Sequence, residues 1–401
     1  MRKKIILAYS GGLDTSALIP WLRENQEADV VAYCCDVGNQ PDPQWLRERA
    51  LYLGACDFIF EDLREKFVND FVYPMVRAGA TYQQDYLLGT AIARPLIAER
   101  IAEYARREKA TAIAHGATGK GNDHLRFERT WAYLLPNVQV IAPWKEWAFK
   151  SRRELKAYLD EKGFKLDLGV AGKYSVDSNL YHCSTEGSVL EDVDREYDPK
   201  DVLKWTDLAE CAQCPESSFT IQFRKGLPVE FNGKSVEAEA LLSQLNALGQ
   251  KHGVGIVDLV EERANGIKSR GVYETPGGYL LHFATKQLKQ ICWGKELFRV
   301  ASGLAAEYGQ LIYDGQWHST SRTAIEAFFA RASENLTGEV GVKIVGSNLF
   351  VTRRRSPYSL YNAKHVSFEE DGLGFNQASA HYTLFATYPN KMAGFANEGR
   401  G

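Results

Sequence analysis

With 401 residues, 45% hydrophobic and 25% charged, the chain has the balance of a globular protein of about two domains, not of a disordered or fibrous one. Its 48 Lys and Arg against 51 Asp and Glu leave a net charge of −3, so no sequence-wide positive field favours a polyanion and nucleic acid is not an expected partner. No stretch approaches the roughly twenty apolar residues of a membrane helix, and the seven cysteines are scattered, so the expectation is a reduced, cytoplasmic chain with no membrane partner.

The first part alternates short β-rich apolar runs with segments of helical period, the pattern of βα units stacked on a parallel sheet. Strands are predicted at 4–9, 30–36, 57–60, 111–114 and 138–142. Helices are predicted at 43–53, closed by Gly54, at 91–107, and at 151–162 with Ser151 as N-cap. Pro20 should bend or shorten the helix that follows the first strand. The expected class is α/β, with a doubly wound parallel sheet over 1–166.

Beyond about residue 166 the texture changes to longer loops, then to β-rich runs at 219–223, 279–283 and 340–345 mixed with helical segments at 236–248, 295–313 and 321–335. A separate α+β domain over 167–370 is expected. The last residues, 371–401, carry a weak apolar stripe interrupted by Pro389 and glycines.

The sharpest local signal is Ser10-Gly11-Gly12-Leu13-Asp14-Thr15-Ser16, which follows the first strand and opens a helix. Two glycines let the backbone turn tightly against an anion, and exposed N–H groups with the helix dipole stabilise negative charge. No lysine stands where a GxxxxGK[ST] loop needs one, and the glycine spacing is not GxGxxG. A glycine turn with Asp14 as a plain helix N-cap is the alternative. The motif resembles the SGGxDS loop of the ATP pyrophosphatases.

A second polar glycine loop, His115-Gly116-Ala117-Thr118-Gly119-Lys120-Gly121-Asn122-Asp123, follows the fourth strand, with Arg126 one turn into the next helix. Loops at the carboxyl ends of parallel strands share one crevice, so both should face the same ligand. Thr118 and Asn122 can donate to a carboxylate, Asp123 can accept from an ammonium, and Arg126 can clamp a carboxylate. Cys211 and Cys214 form a CxxC with no second pair to complete a metal site, and read as incidental thiols.

AYSGGLDTS at 8–16 and AHGATGKGNDHLRFE at 114–128 together resemble the argininosuccinate synthase family, and so do YLLGTAIARP at 86–95, YSVDSNLYHCSTEG at 174–187 and VEERANGIKSRGVYETPGG at 260–278. The resemblance implies an ATP pyrophosphatase-type domain, a synthetase domain and a C-terminal arm in a homotetramer. It implies a ligase that uses ATP, with Mg²⁺, to adenylate citrulline and join it to aspartate in arginine biosynthesis or the urea cycle. It places ATP at Ala8, Tyr9, Ser10, Gly11, Gly12, Leu13, Asp14, Thr15, Ser16 and Gly116, with Cys35 lining the adenosine. Aspartate falls to Thr118, Asn122 and Asp123, and citrulline to Tyr86, Asn122, Arg126, Ser175, Ser184, Glu261 and Tyr273. Asp14, Lys120 and Asp123 are the expected catalytic residues, with Asp14 orienting the metal–pyrophosphate and Lys120 contacting phosphate. Two departures stand out: Ala91 occupies a family serine position, and the arm is weakly amphipathic. A tRNA-modifying pyrophosphatase would want a basic face and paired reactive cysteines, and an amidotransferase a nucleophilic N-terminal cysteine. A sensor that binds ATP without turnover is the rival from another class.

Overall fold

Strands β1 (Lys3–Ala8), β2 (Ala28–Asp36), β3 (Asp57–Asp62), β4 (Ala112–Ala114) and β5 (Gln139–Ile141) form a parallel sheet ordered β3-β2-β1-β4-β5. The computed structural model describes residues 2–38, 41–145, 147–149, 151–166 and 173–361. Near-continuous apolar runs are what strands covered on both faces require. Along β1, Ile5 and Leu7 enter one core with Leu18, Leu22, Leu46 and Leu155, whereas Ile6 enters another with Ile92, Leu96 and Trp131. Helices α1 (Leu13–Asn25) and α2 (Pro43–Tyr52) therefore cover one face, and the opposite face is covered by a helix later in the chain.

Three abutting helical segments that the apolar spacing did not reveal follow β3: α3 (Arg64–Phe67), a π-helical turn at Val68–Val72, and α4 (Tyr73–Ala78). The long α5 (Gly89–Arg107) covers the second face, α6 (Asp123–Leu134) packs on it, and α7 (Arg152–Glu161) returns to α1. Ser151 caps α7, its hydroxyl accepting from Glu154 N–H at 3.3 Å. Pro20 does not end α1, which runs through it to Asn25.

The second part holds two antiparallel sheets. One pairs β6 (Ser175–Ser178) and β7 (Cys183–Glu186) with the later β11 (Ile256–Glu262) and β12 (Lys268–Glu274), in the order β11-β12-β7-β6. The other is ordered β10-β9-β8-β13-β14 and consists of β8 (Ser217–Arg224), β9 (Leu227–Phe231), β10 (Lys234–Ser235), β13 (Gly338–Val345) and β14 (Asn348–Arg355). The helices are the short α8 (Pro199–Val202) and α9 (Leu208–Cys211), then α10 (Ala238–Lys251), α11 (Pro276–Cys292), α12 (Lys295–Tyr313) and α13 (Thr320–Ala332).

The strand predicted at 279–283 is instead part of α11. Its Tyr-Leu-Leu-His-Phe run looks β-rich in isolation, but Leu280, Leu281, Ala284 and Leu288 are all buried, a helical spacing, and Pro276 at the first turn is pre-set for a helix. Residues 371–401, the expected arm, lie outside the described residues.

One apolar cluster joins the α5 face of the parallel sheet to α11 and α12, so the second part is packed onto the first. Gly309 permits the closest approach: a Cβ there would stand 2.1 Å from the Thr81 carbonyl oxygen, a backbone atom that cannot swing aside. Gly309→Ala should therefore cost about 1–3 kcal/mol through overpacking, read as a lower urea midpoint. An unchanged midpoint would show that α12 is not held against the Thr81 backbone.

Candidate active site

Between β1 and α1 the chain makes a turn that only glycine can make at one position. Gly11 sits at φ +74, and a Cβ there would come within 2.5 Å of Leu46 and 3.0 Å of Trp45. Gly12 occupies the N-cap of α1 without a side-chain cap, and Asp14 lies inside the first turn, so the N-cap alternative for Asp14 fails. Hydroxyls tie the turn together: Ser10 Oγ lies 3.2 Å from Thr15 Oγ1, and Ser16 Oγ donates to the Gly11 carbonyl at 3.4 Å. Arg49 Nε from α2 donates to Ser16 Oγ at 3.2 Å. Ser10 and Gly12 remain exposed, while Leu13 is half-buried. Asp14 Oδ2 is 3.6 Å from Arg152, and its Oδ1 is buried without a hydrogen-bond partner. Burial pushes the Asp14 pKa up. Ala8, Tyr9 and Cys35 are buried at the strand ends, and burial also raises the Cys35 thiol pKa, so only backbone is offered there.

The loop after β4 meets this turn. A Cβ on Gly116 would lie 3.1 Å from Thr15 Cγ2 and 3.6 Å from Asp14 Cβ. His115 Nδ1 accepts from Ala117 N–H at 3.1 Å, so Nε2 carries the proton and donates to Glu128 Oε1 at 3.3 Å. That bond, with Lys145, holds the Glu128 pKa down to about 2. The switch from β1 to β4 is where doubly wound sheets open their crevice, and both loops lie at its carboxyl edge.

Beside them opens a cleft of about 620 Å³, lined by Tyr86, Thr118, Lys120, Asn122, Asp123, Arg126, Ser175, Ser184, Glu261 and Tyr273. Every residue expected for the two amino acids thus faces one space. Residues 8–16, Cys35 and Gly116 do not line it, and adjoin it through the Gly116–Thr15 contact.

The cleft walls are held by charge pairs. Asp123 accepts from Arg94 Nε at 2.9 Å and from Arg126 at 3.1 Å, and these cations hold its pKa down against the opposing effect of burial. Arg94 also reaches Asp177 at 2.5 Å, and Arg263 donates to Glu186 at 2.8 Å and to the Lys120 carbonyl at 2.9 Å. Glu261 is 5% exposed. Its Oε1 accepts from Tyr273 at 3.1 Å, while Oε2 is buried with no hydrogen-bond partner, and burial raises its pKa. Tyr86 accepts from Thr90 N–H at 3.2 Å. Ala91, in the family serine position, is fully buried in the apolar core, and its neighbour Thr90 lines the cleft instead.

The Arginosuccinate synthase N-terminal HUP domain matches residues 4–165, and the Arginosuccinate synthase C-terminal domain matches 174–387. Over 380 residues the chain is 47% identical to an argininosuccinate synthase of Carboxydothermus hydrogenoformans, covering 95% of this chain and 94% of that one. The chain belongs to the argininosuccinate synthase family. Another relative with that name, from Caldicellulosiruptor saccharolyticus, is 42% identical over 400 residues, covering 99% of this chain and 98% of its own. A third, from Caldanaerobacter subterraneus subsp. tengcongensis, is 45% identical over 380 residues, 94% and 92% of the two chains. Argininosuccinate synthases are ATP-using ligases, which accords with an anion turn beside a polar cleft.

Sequence reasoning about this family member missed Arg94, Asp177, Glu186, Arg263 and above all Tyr313. Arg94 had a signal, since it stands one helical turn after Thr90 on the same face of α5. Tyr313 ends α12 and is 1% exposed. Its hydroxyl accepts from Asn122 Nδ2 at 2.9 Å, its carbonyl accepts from Arg126 Nε at 3.2 Å, and the Arg126 guanidinium lies 5.2 Å from its ring centroid. Tyr313→Phe, which removes one hydrogen bond worth about 1 kcal/mol, should raise KM for the amino-acid substrates about fivefold with little change in kcat. Tyr313→Leu, which also strips the ring from Arg126, should lower kcat as well. Wild-type KM values in both variants would show that Tyr313 does not position the cleft residues.

Proposed function

We propose that the chain joins citrulline to aspartate with the cleavage of ATP to AMP and pyrophosphate, through a citrullyl-adenylate, in arginine biosynthesis. The observation that carries this reading is the unpaired, buried Glu261 Oε2 in a cleft that adjoins the anion turn at Gly116. An α-ammonium group supplies the partner that this oxygen lacks.

A ureido carbon is a poor electrophile, so its oxygen must first be made part of a good leaving group. The ureido oxygen attacks the α-phosphorus, the bond to the β-phosphate oxygen breaks, and pyrophosphate leaves toward residues 10–16. The aspartate amine then attacks the activated carbon, AMP departs with the former ureido oxygen, and the amine gives up its proton. No covalent enzyme intermediate is needed, so catalysis rests on alignment and charge neutralisation. Arg126, Ser175 and Ser184 hold the citrulline carboxylate and Glu261 its ammonium, with Tyr86, Asn122 and Tyr273 bounding the side chain. Thr118 and Asn122 hold the aspartate carboxylate. Asp123 keeps lone pairs beyond those given to Arg94 and Arg126, and these accept from the aspartate ammonium. Lys120 is exposed at the cleft mouth and contacts phosphate.

Mg²⁺ bound with the nucleotide would supply further charge neutralisation, and the unpaired Asp14 Oδ1 beside the turn is a carboxylate oxygen of the kind such an ion prefers. The assembly is a cytoplasmic homotetramer built through residues 371–401, a reading supported by family resemblance. A division of the chain near residue 166 is supported by the two matched segments, 4–165 and 174–387, the second of which runs past the proposed boundary at 370.

With ATP alone the protein should release no pyrophosphate; adding citrulline should release up to one equivalent per site, and aspartate should start turnover. Pyrophosphate formed steadily from ATP without citrulline, or none under any condition, would overturn the reading.

Glu261→Gln should raise KM for citrulline about 10- to 100-fold, the worth of a charge-assisted hydrogen bond, and leave KM for ATP unchanged. Because burial raises the Glu261 pKa, the anion is present above that raised value and lost as pH falls through it. KM for citrulline should therefore rise on acidification, starting at a higher pH than an ordinary carboxylate would give, and Glu261→Gln should flatten the profile. The same slope in both proteins would remove Glu261 from the ammonium site.

A further inference from the structure

Cys211 and Cys214 stand outside the cleft and take no part in the reaction above. Cys211 ends α9, and Cys214 N–H donates to the Cys211 carbonyl at 3.1 Å, closing a turn. Such a turn keeps its terminal Cα atoms within about 7 Å, and a disulfide spans Cα separations of about 4.4–6.8 Å, so the pair can close with little backbone movement. Both thiols are half-exposed and line a surface pocket of about 600 Å³, whereas Cys34, Cys35, Cys183 and Cys292 are buried. Among the described residues no cluster of three or more His, Cys, Asp or Glu is arranged to hold a metal.

His252, 2% exposed, stands behind Cys214. Its Nδ1 is 3.1 Å from the Gly346 carbonyl oxygen, which can only accept, so Nδ1 carries the proton. In the neutral ring the Nε2 lone pair then faces Ser217 Oγ at 2.8 Å and Cys214 Sγ at 3.6 Å. Burial lowers the His252 pKa, so the ring is neutral, and its Nε2 lone pair is shared between the Ser217 hydroxyl, the nearer partner, and the Cys214 thiol. Cys214 Sγ also lies 3.4 Å from the Pro215 carbonyl, and Cys211 Sγ donates to the Gln250 carbonyl at 3.2 Å. The arrangement is a nucleophile, a base and an orienting carbonyl, with a second thiol one turn away.

We propose that Cys211 and Cys214 are a reversible dithiol–disulfide site, in which Cys214 attacks first and His252 takes its proton. The oxidant is a low-molecular-weight disulfide. The Cys214 sulfur attacks one of its sulfurs, the S–S bond breaks, and the departing thiolate takes the proton held by His252. Cys211 then attacks the Cys214 sulfur of the mixed disulfide, the second small thiol leaves with the Cys211 proton, and two protein thiols have been oxidised for one disulfide reduced to two thiols.

The test is thiol mapping of the reduced full-length protein. With iodoacetamide at pH 7.5, Cys214 should be alkylated on the order of tenfold faster than the thiol of free glutathione. With oxidised glutathione, peptide mapping should show a Cys211–Cys214 disulfide that dithiothreitol reverses, and Cys211→Ser should stop at the glutathione adduct of Cys214. His252→Gln should slow Cys214 to the rate of the free glutathione thiol. Ser217→Ala, which frees Nε2 from a competing hydroxyl, should speed it. Cys214 reacting no faster than free glutathione, a wild-type protein that stops at the glutathione adduct, or a Ser217→Ala rate equal to or below wild type would each overturn the proposal.

Discussion

The cleft exists because the end of α12 is pinned to the start of α6. The Tyr313 hydroxyl accepts from Asn122 and its carbonyl from Arg126, its ring faces the Arg126 guanidinium, and it stacks on Tyr82 with ring centroids 3.5 Å apart. Gly315 continues the seam, since a Cβ there would come within 2.8 Å of Arg126 Cα. These contacts join the second part of the chain to the loop that follows β4. Without them Asn122 would keep only the bond its Oδ1 accepts from Ala264 N–H, between β11 and β12, and Arg126 only its pair with Asp123.

That wall explains how so much charge can be kept together. Removing an ion from water costs several kcal/mol unless its partners are well placed, and here the carboxylates and guanidiniums alternate: Asp177, Arg94, Asp123, Arg126 in one chain, Glu186 with Arg263 beside it. Glu261 is the exception: Oε1 accepts from Tyr273, while Oε2 has no hydrogen bond, and only the nearby Arg126 cation and Tyr313 hydroxyl offset the cost of its burial. An unsatisfied buried carboxylate oxygen is costly to keep, and a site built to take a cationic group is the physical reason to keep it.

Much of this was legible in the sequence. Strands covered on both faces write themselves as apolar runs, so all five strands of the parallel sheet lie within two residues of their expected ends. The paired glycines after β1 announce an anion turn because few other residues could occupy Gly11. Local pattern failed where tertiary context decides. Residues 279–283 have β-rich composition, yet the periodic burial of Ala284 and Leu288 continues them as helix. Tyr313 reads as a core aromatic because spacing along one helix says nothing about which distant carboxamide its hydroxyl will meet. Glu261 was found through the family motif alone, since a glutamate next to the exposed Val260 on an alternating strand carries no mark of burial.

The chemical claim at the centre is that the ureido oxygen becomes bonded to the α-phosphorus before the aspartate amine arrives. Citrulline carrying ¹⁸O in its ureido group, turned over with ATP and aspartate, tests it directly by mass spectrometry of the products. The account predicts that the AMP phosphate carries the label and that pyrophosphate carries none. Unlabelled AMP, with the ¹⁸O in water or in pyrophosphate, would contradict it.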